Sequence, residues 1–307
     1  MSVTITGPPL VSPYMMLSMS DDRTDIDESQ IVVPGQCVSD APQHFMRGHG
    51  THTRDGEIVA SVSGVVTQLN KLIMVKTIKQ RYEGMIGDVV VARVIEVQAN
   101  KWKCDVASRL HANLPLGAVL LPGGELRRKD VDDEERMAEF LKKGDLIAAE
   151  VQQVQHDGTI VIHTRNNKYG KLTQGILVKV SSHLVKKQKK HFHTLPYGCA
   201  LIIGCNGFVW ITSALPETTI EDETGGHVVQ HQTIPLDVRQ AMCRVSAIIR
   251  LLAQYNIAIF LNSVTTAYEL SAVYETKELA EQEVSAKLAY AITTRLLEEE
   301  RLAQMQR

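Results

Sequence analysis

Gly87-Asp88-Val89-Val90-Val91-Ala92-Arg93-Val94-Ile95-Glu96-Val97 (GDVVVARVIEV) is too rich in β-branched side chains to settle as a helix. A residue branched at Cβ loses rotamer freedom against the preceding helical turn, whereas a pleated strand accepts it. The same opening recurs in residues 144–154 (GDLIAAEVQQV). Residues 102–107 (WKCDVA), 117–121 (GAVLL) and 159–164 (TIVIHT) each fit a further short strand, and Asp157-Gly158 makes the turn before the last. Five short antiparallel strands, with an insertion at residues 122–143 before the fourth, predict a small Greek-key barrel of OB type. The insertion opens with Pro122-Gly123-Gly124 and runs through the charged residues 127–135 into a short helix at 134–141.

Working outward towards the N-terminus, residues 57–66 (EIVASVSGVV) and 71–78 (KLIMVKTI) alternate like strands, with Asn70-Lys71 as the bend. Order begins at Ile31-Val32-Val33-Pro34-Gly35; residues 1–29 read as a flexible tail of Ser, Pro, Met and Asp without periodicity. Towards the C-terminus, residues 175–180 read as a strand and Ser181-Ser182 as the cap of a short helix to about Lys190. Residues 199–203 and 208–212 flank Gly204-Cys205-Asn206-Gly207, where an Asn-Gly pair between apolar runs signals a hairpin. Pro235 opens a helix over 236–255 with Val238, Met242, Val245, Ile249 and Leu252 on one stripe. Residues 256–264 read as a strand, and 277–303 as a long helix with Val284, Leu288, Ile292 and Leu296 aligned. The fold class is therefore multidomain, β-rich α+β. Its parts are a tail (1–29), an N-terminal β-domain (30–82), a barrel (83–164) and a mixed module with C-terminal helices (165–307).

The 307 residues carry 33 Lys+Arg against 35 Asp+Glu, a formal net charge of −2, and 44 % are hydrophobic. That composition excludes wholesale disorder, and no apolar run reaches the roughly 18 residues of a membrane-spanning helix. Residues 1–25 lack the pattern of a signal peptide, and the five cysteines form no C-x-x-C pair. Neither a zinc site nor a disulfide framework is expected, and an intracellular, reducing compartment is. The near-neutral total hides a local asymmetry. Residues 165–193 hold eight basic side chains and no Asp or Glu, which fits either a solvated face or an electrostatic footprint for nucleic acid.

Catalytic motifs are lacking: no H-E-x-x-H, G-x-S-x-G, Walker-type loop or G-x-G-x-x-G occurs. The acidic groups at 132–135 and 298–300 lie in highly charged, solvated segments, where a metal site is not expected. Binding chemistry is better represented. A barrel of this type presents one face to a single strand of RNA, where rings stack bases and cations follow phosphates. Lys101-Trp102-Lys103 puts an aromatic between two cations; Trp102 fits base stacking or a half-buried indole closing the barrel. Arg109, Arg127 and Arg128 fall in loops that could line the same face, and Arg165, Lys168, Tyr169 and Lys171 follow the fifth strand. The tetrad Gly204–Gly207 matches the G-x-x-G that clamps a nucleic-acid backbone in KH domains. Its strand-like flanks favour instead a structural turn built on Gly204, Asn206 and Gly207.

Several longer motifs then follow in one order: Val33-Pro34-Gly35, residues 45–51 (FMRGHGT), 70–73 (NKLI), 122–128 (PGGELRR), 144–152 (GDLIAAEVQ), His163-Thr164-Arg165, 168–172 (KYGKL) and 204–210 (GCNGFVW). Together they resemble the RNA-binding cap subunits of the RNA exosome, from about residue 31 to 212 and more weakly beyond. The resemblance implies an S1-type barrel, a KH-like domain, and no catalytic residue, metal or cofactor. It implies docking beside two other S1-domain cap subunits on a ring of RNase PH-like proteins. There the subunit would stabilise the ring and guide single-stranded RNA to an associated exoribonuclease. The processes implied are rRNA processing and the degradation of mRNA and non-coding RNA, in the nucleus with its nucleolus and in the cytoplasm. The competing reading is a free-standing S1/KH RNA-binding regulator, which would be more basic overall and carry its G-x-x-G between helices.

Overall fold

The computed structural model describes residues 31–39, 44–77, 80–119, 135–166, 168–213 and 233–305. Contacts divide the chain into two compact units, one ending at Gln80 and one running from Arg81 to the C-terminus.

The first unit holds seven short strands: β1 (Ile31–Val32), β2 (Cys37–Ser39), β3 (Met46–Arg47), β4 (Thr51–Arg54), β5 (Glu57–Ala60), β6 (Gly64–Leu69) and β7 (Leu72–Thr77). They form two sheets, ordered β1-β6-β7-β3 and β2-β5-β4, around Val32, Ala60 and Val75. The strand expected over 57–66 is two strands, because the chain changes sheet between Ala60 and Gly64. The bend expected at Asn70 is present, with Asn70 at φ 55° between β6 and β7.

The second unit opens with the barrel: β8 (Val89–Gln98), β9 (Lys101–Asp105), β10 (Ala112–Pro115), β11 (Leu146–Val154) and β12 (Ile160–His163). The order β12-β10-β9-β8-β11 closes through a β12–β11 pairing, and β13 (Gly170–Leu172) pairs with Leu146–Ala148 on the same edge of β11 as β12. Val90, Ala92 and Val94 of β8 point into the barrel core. Its alternate residues Val89 and Val91 are buried against the C-terminal module, in a cluster with Ile202, Phe208 and Trp210. A strand covered on both faces needs apolar residues at nearly every position, which is what the Val-rich run supplies. The third strand lies earlier than expected. Residues 117–119 form a 3-10 turn (Leu116–Ala118) and its exit, while Ala112 and Leu114 alternate into the core on β10. Pro115 ends that strand, and among the described residues of the expected segment Val119 forms a bridge, to Thr164. Residues 120–121 lie outside the described residues. The helix expected at 134–141 is one turn, α1 (Met137–Phe140), with Met137 in the barrel core.

The C-terminal module is an antiparallel sheet of β14 (Ile176–Lys179), β15 (Phe192–Leu195), β16 (Cys199–Ile203) and β17 (Phe208–Thr212), ordered β14-β17-β16-β15. Three helices follow: α2 (Leu236–Gln254), α3 (Leu261–Ser271) and α4 (Gln282–Met305). Met242, Val245, Ile249 and Leu252 of α2 share one core with Leu201, Val209 and Ile211 of the sheet and Leu288, Ile292 and Leu296 of α4. Two expectations fail here. The helix from Ser181 is only a 3-10 turn (Ser182–Leu184) without a side-chain cap, because Val185 and Lys186 pair with Ile259 instead. The strand expected over 256–264 is an extended stretch to Ile259 followed by α3, whose start Ser263 fixes by accepting the Phe260 N–H at 3.0 Å.

Candidate nucleic-acid interface

Strand alternation decides what the barrel shows to solvent. On β9, Trp102 and Cys104 point inward, so Lys101 and Lys103 point outward. Lys103 sits opposite Glu96 on β8 and Asn113 on β10; Lys101 sits opposite Gln98 and Pro115. Lys103 Nζ and Glu96 Oε2 are 3.9 Å apart, both partly exposed, so water screens the pair and it contributes little. The outward positions of β9 and β10 are therefore Lys101, Lys103, Asp105, Asn113 and Pro115, two cations and one carboxylate with no aromatic ring.

Trp102 is a correction to the base-stacking reading. Its side chain is 0 % exposed, and its indole N–H donates to the Leu141 carbonyl at 3.2 Å. A ring in that position fills the barrel and cannot meet a base. Tyr169 is a second correction. It is 7 % exposed, lies edge-on to His163 and tilted against Phe192, and is hydrogen-bonded to Glu150. Burial, then the Glu150 charge, push its phenol well above the usual range. Lys171 is held by Asp145 in a partly buried ion pair, so its charge is already matched.

Among the described residues, the remaining cations, Arg109, Arg165 and Lys168, are exposed but do not gather at one point. Arg109 follows the far end of β9 from Lys101, and its guanidinium donates to the Asp157 carbonyl at 3.0 Å in the β11–β12 turn. That turn is set by Asp157 itself, whose carboxylate accepts the Thr159 N–H and hydroxyl; the backbone bond chiefly holds its pKa below the ordinary value. Arg165 and Lys168 are exposed just after β12. Arg127 and Arg128 lie outside the described residues.

Gly204, Asn206 and Gly207 form the β16–β17 turn, and it is docked on the barrel. The Gly204 N–H donates to Phe208 O, the Gly207 N–H to Gly204 O, and the Cys205 N–H to Val89 O on β8. Asn206, 1 % exposed, donates through Nδ2 to the carbonyls of Val91 and Val106 at 2.8 and 3.1 Å. Gly207 has φ +84°, and a Cβ there would run into the Val180 carbonyl. These three amides are spent on protein, so they cannot meet a phosphate.

A second tie between barrel and sheet escaped the sequence reading. Asp88, 8 % exposed, accepts the Tyr82 hydroxyl at 2.9 Å, the Met85 N–H at 3.0 Å and Lys187 Nζ at 3.2 Å. Burial, then the Asp88 charge, raise the Tyr82 pKa far above its usual value. The Gly-Asp repeat at 87–88 and 144–145 was the available signal: each Asp answers a lysine, Lys187 and Lys171 respectively. Among the described residues no group of three or more His, Cys, Asp or Glu could hold a metal ion, and no helix is long and apolar enough to cross a membrane.

Three family models match this architecture in order. They are "Exosome complex exonuclease RRP4 N-terminal region" over residues 31–68, "RRP4, S1 domain" over 81–153 and "KH domain" over 175–217. An exosome complex component RRP4 homolog of Caenorhabditis elegans is 71 % identical over 299 residues, covering 97 % of this chain and 98 % of that protein. This chain belongs to the RRP4 family of exosome complex components. The Bos taurus member is 44 % identical, covering 94 % of this chain and 97 % of its own. The Saccharomyces cerevisiae member is 38 % identical, covering 92 % and 87 %. Within the RRP4 frame, the barrel is the S1 domain and the four-stranded sheet belongs to the KH domain. The matched S1 segment stops inside β11, so the strand that closes the barrel, β12, lies beyond it.

Proposed function

We propose that this chain is a non-catalytic RNA-binding cap subunit of the RNA exosome. In this reading it sits with the other S1-domain cap subunits on the RNase PH-like ring, stabilises that ring, and guides single-stranded RNA towards an associated exoribonuclease. The processes served are 3′-to-5′ rRNA processing and the turnover of mRNA and non-coding RNA, in nucleus, nucleolus and cytoplasm. The observation that carries the reading is an RRP4-family S1 barrel whose outward β9 cations, Lys101 and Lys103, are paired with no buried carboxylate.

That face holds a backbone rather than bases. Lysines act on phosphates as point charges, and with no outward aromatic ring on β9 or β10 those two strands offer a base nothing to stack on. Binding of this kind is salt-dependent and sequence-tolerant, as a threading role requires. Arg109 and the 165–168 corner extend the positive surface, and Arg127 and Arg128 are assigned to it from the sequence. A net charge of −2 fits a subunit that meets RNA inside an assembly, where the other subunits complete the funnel.

The test has two arms. Lys101→Glu together with Lys103→Glu should leave the complex intact and weaken its protection of single-stranded RNA. Protection unchanged in that variant would reject the barrel-face assignment. The purified chain incubated with RNA and magnesium should release no nucleotides; phosphodiester cleavage that co-elutes with this chain through successive purification steps would reject the non-catalytic role.

A further inference from the structure

A dense group of cations on the KH domain remains without a role. Lys186, Lys187, Lys189 and Lys190 lie between the Ser182–Leu184 turn and β15. This connection is pinned at several points. The Lys186 N–H donates to Ile259 O at 3.2 Å, Lys187 Nζ meets Asp88 at 3.2 Å, and the His191 ring bonds Ile203 O at 2.9 Å. Lys189 and Lys190 are strung between these anchors, both exposed, with no carboxylate partner among the described residues. The Lys187 anchor fixes their place on the barrel. Asp88 also holds Tyr82, and Tyr82 bridges Ser108, the residue before Arg109. Lys189, Lys190 and Arg109 thus stand at one end of the barrel, where β8 begins and β9 ends, and Lys101 stands at the other.

We propose that this junction is a second phosphate-binding surface, on which Lys189 and Lys190 of the KH domain grip RNA that has passed along the barrel face and Arg109. The proposal rests on the RNA-binding reading above. It moves the KH domain's contact with RNA from the G-x-N-G turn, whose amides are committed to the barrel, to the lysines leading into β15. Of the nearby acids, Asp88 is matched by Lys187, while the Asp157 carboxylate stays charged beside Arg109 and leaves Lys189 and Lys190 as the cations without a carboxylate among the described residues. Residues 165–193 contain no acid at all. Because Asp88 and Asn206 tie sheet to barrel, the two cationic surfaces keep a fixed spacing, and a strand must be long enough to span both.

The experiment uses the complex purified through the full-length chain and a long 4-thiouridine-substituted single-stranded RNA. After irradiation, crosslinked peptides are identified by mass spectrometry. Peptides spanning 186–193 and 101–109 should both carry RNA. Lys189→Ala with Lys190→Ala should reduce the first several-fold, keep the second and the melting temperature, and lower the salt slope of binding by about 1.4 for two lost phosphate contacts. Crosslinks confined to the barrel peptide would overturn the junction surface and leave the RNA-binding reading standing. Crosslinks on neither peptide would overturn both. Unchanged crosslinking together with loss of a protein from the purified complex would assign these lysines to an acidic protein partner and overturn the proposal.

Discussion

Asn206 makes its two donor bonds to backbone carbonyls of the barrel in a place water does not reach. Asn206→Ala strands the carbonyls of Val91 and Val106, each costing about 1–3 kcal/mol when left unsatisfied, so unfolding by denaturant should show a loss of about 2–6 kcal/mol. Trp102→Phe removes only the bond to Leu141 and part of the ring. It should cost about 1–2 kcal/mol in the same measurement and leave RNA crosslinking to the barrel unchanged. Reduced crosslinking at unchanged stability would restore the stacking role. Alternation already pointed inward for this residue: Lys101 and Lys103 are polar, Trp102 and Cys104 are not, and one period-2 frame fits all four. Tyr169 carried no such signal, because its burial comes from Phe192 and Ile202, residues distant in sequence. His193 adds a pH dependence. Burial chiefly, with neighbouring His191 and Lys190, lowers its pKa, so the unfolded chain takes up a proton first as pH falls below about 6.5. Stability should therefore fall on acidification from that point, and His193→Gln should flatten the slope of melting temperature against pH there.

At the scale of elements, β8 organises the second unit, since one of its faces lines the barrel and the other meets the KH sheet. The clasp beside it is asymmetric. Asp88 is buried and serves three donors, whereas Lys187 is more than half exposed. Asp88→Ala should cost several times more stability than Lys187→Ala, whose loss should stay within about 1 kcal/mol. Equal losses in a denaturation series would mean that the ion pair, and not the buried carboxylate, holds the junction. The barrel, its Gly-Asp repeats, the β16–β17 hairpin and the stripes of α2 and α4 were legible because each follows a period or a turn rule within a few residues. The start of α3 was not, because β-branched Ile257, Ile259 and Val264 resemble a strand and only the Ser263 bond to Phe260 sets the helix. The segment after Ser181 misled for the converse reason: its helix cap is outbid by a pairing with Ile259, more than seventy residues away.

Over the second unit, Lys101, Lys103, Arg109, Lys189 and Lys190 lie on a barrel and a KH module tied to each other by Asn206 and Asp88. The proposed role as an RNA guide calls for no base reading and no reacting group; it calls for a fixed array of charges and a larger body to sit on. Membership of the RRP4 family supplies that body's identity as a proposal open to direct test. The decisive measurement is affinity purification of the tagged full-length chain from cells at moderate salt, with mass spectrometry of what remains bound. The account predicts the RNase PH-like ring proteins and the other S1-domain cap subunits in stoichiometric amounts, together with RNA. A chain that elutes alone near its own mass, still carrying RNA, would contradict it and establish the free-standing regulator.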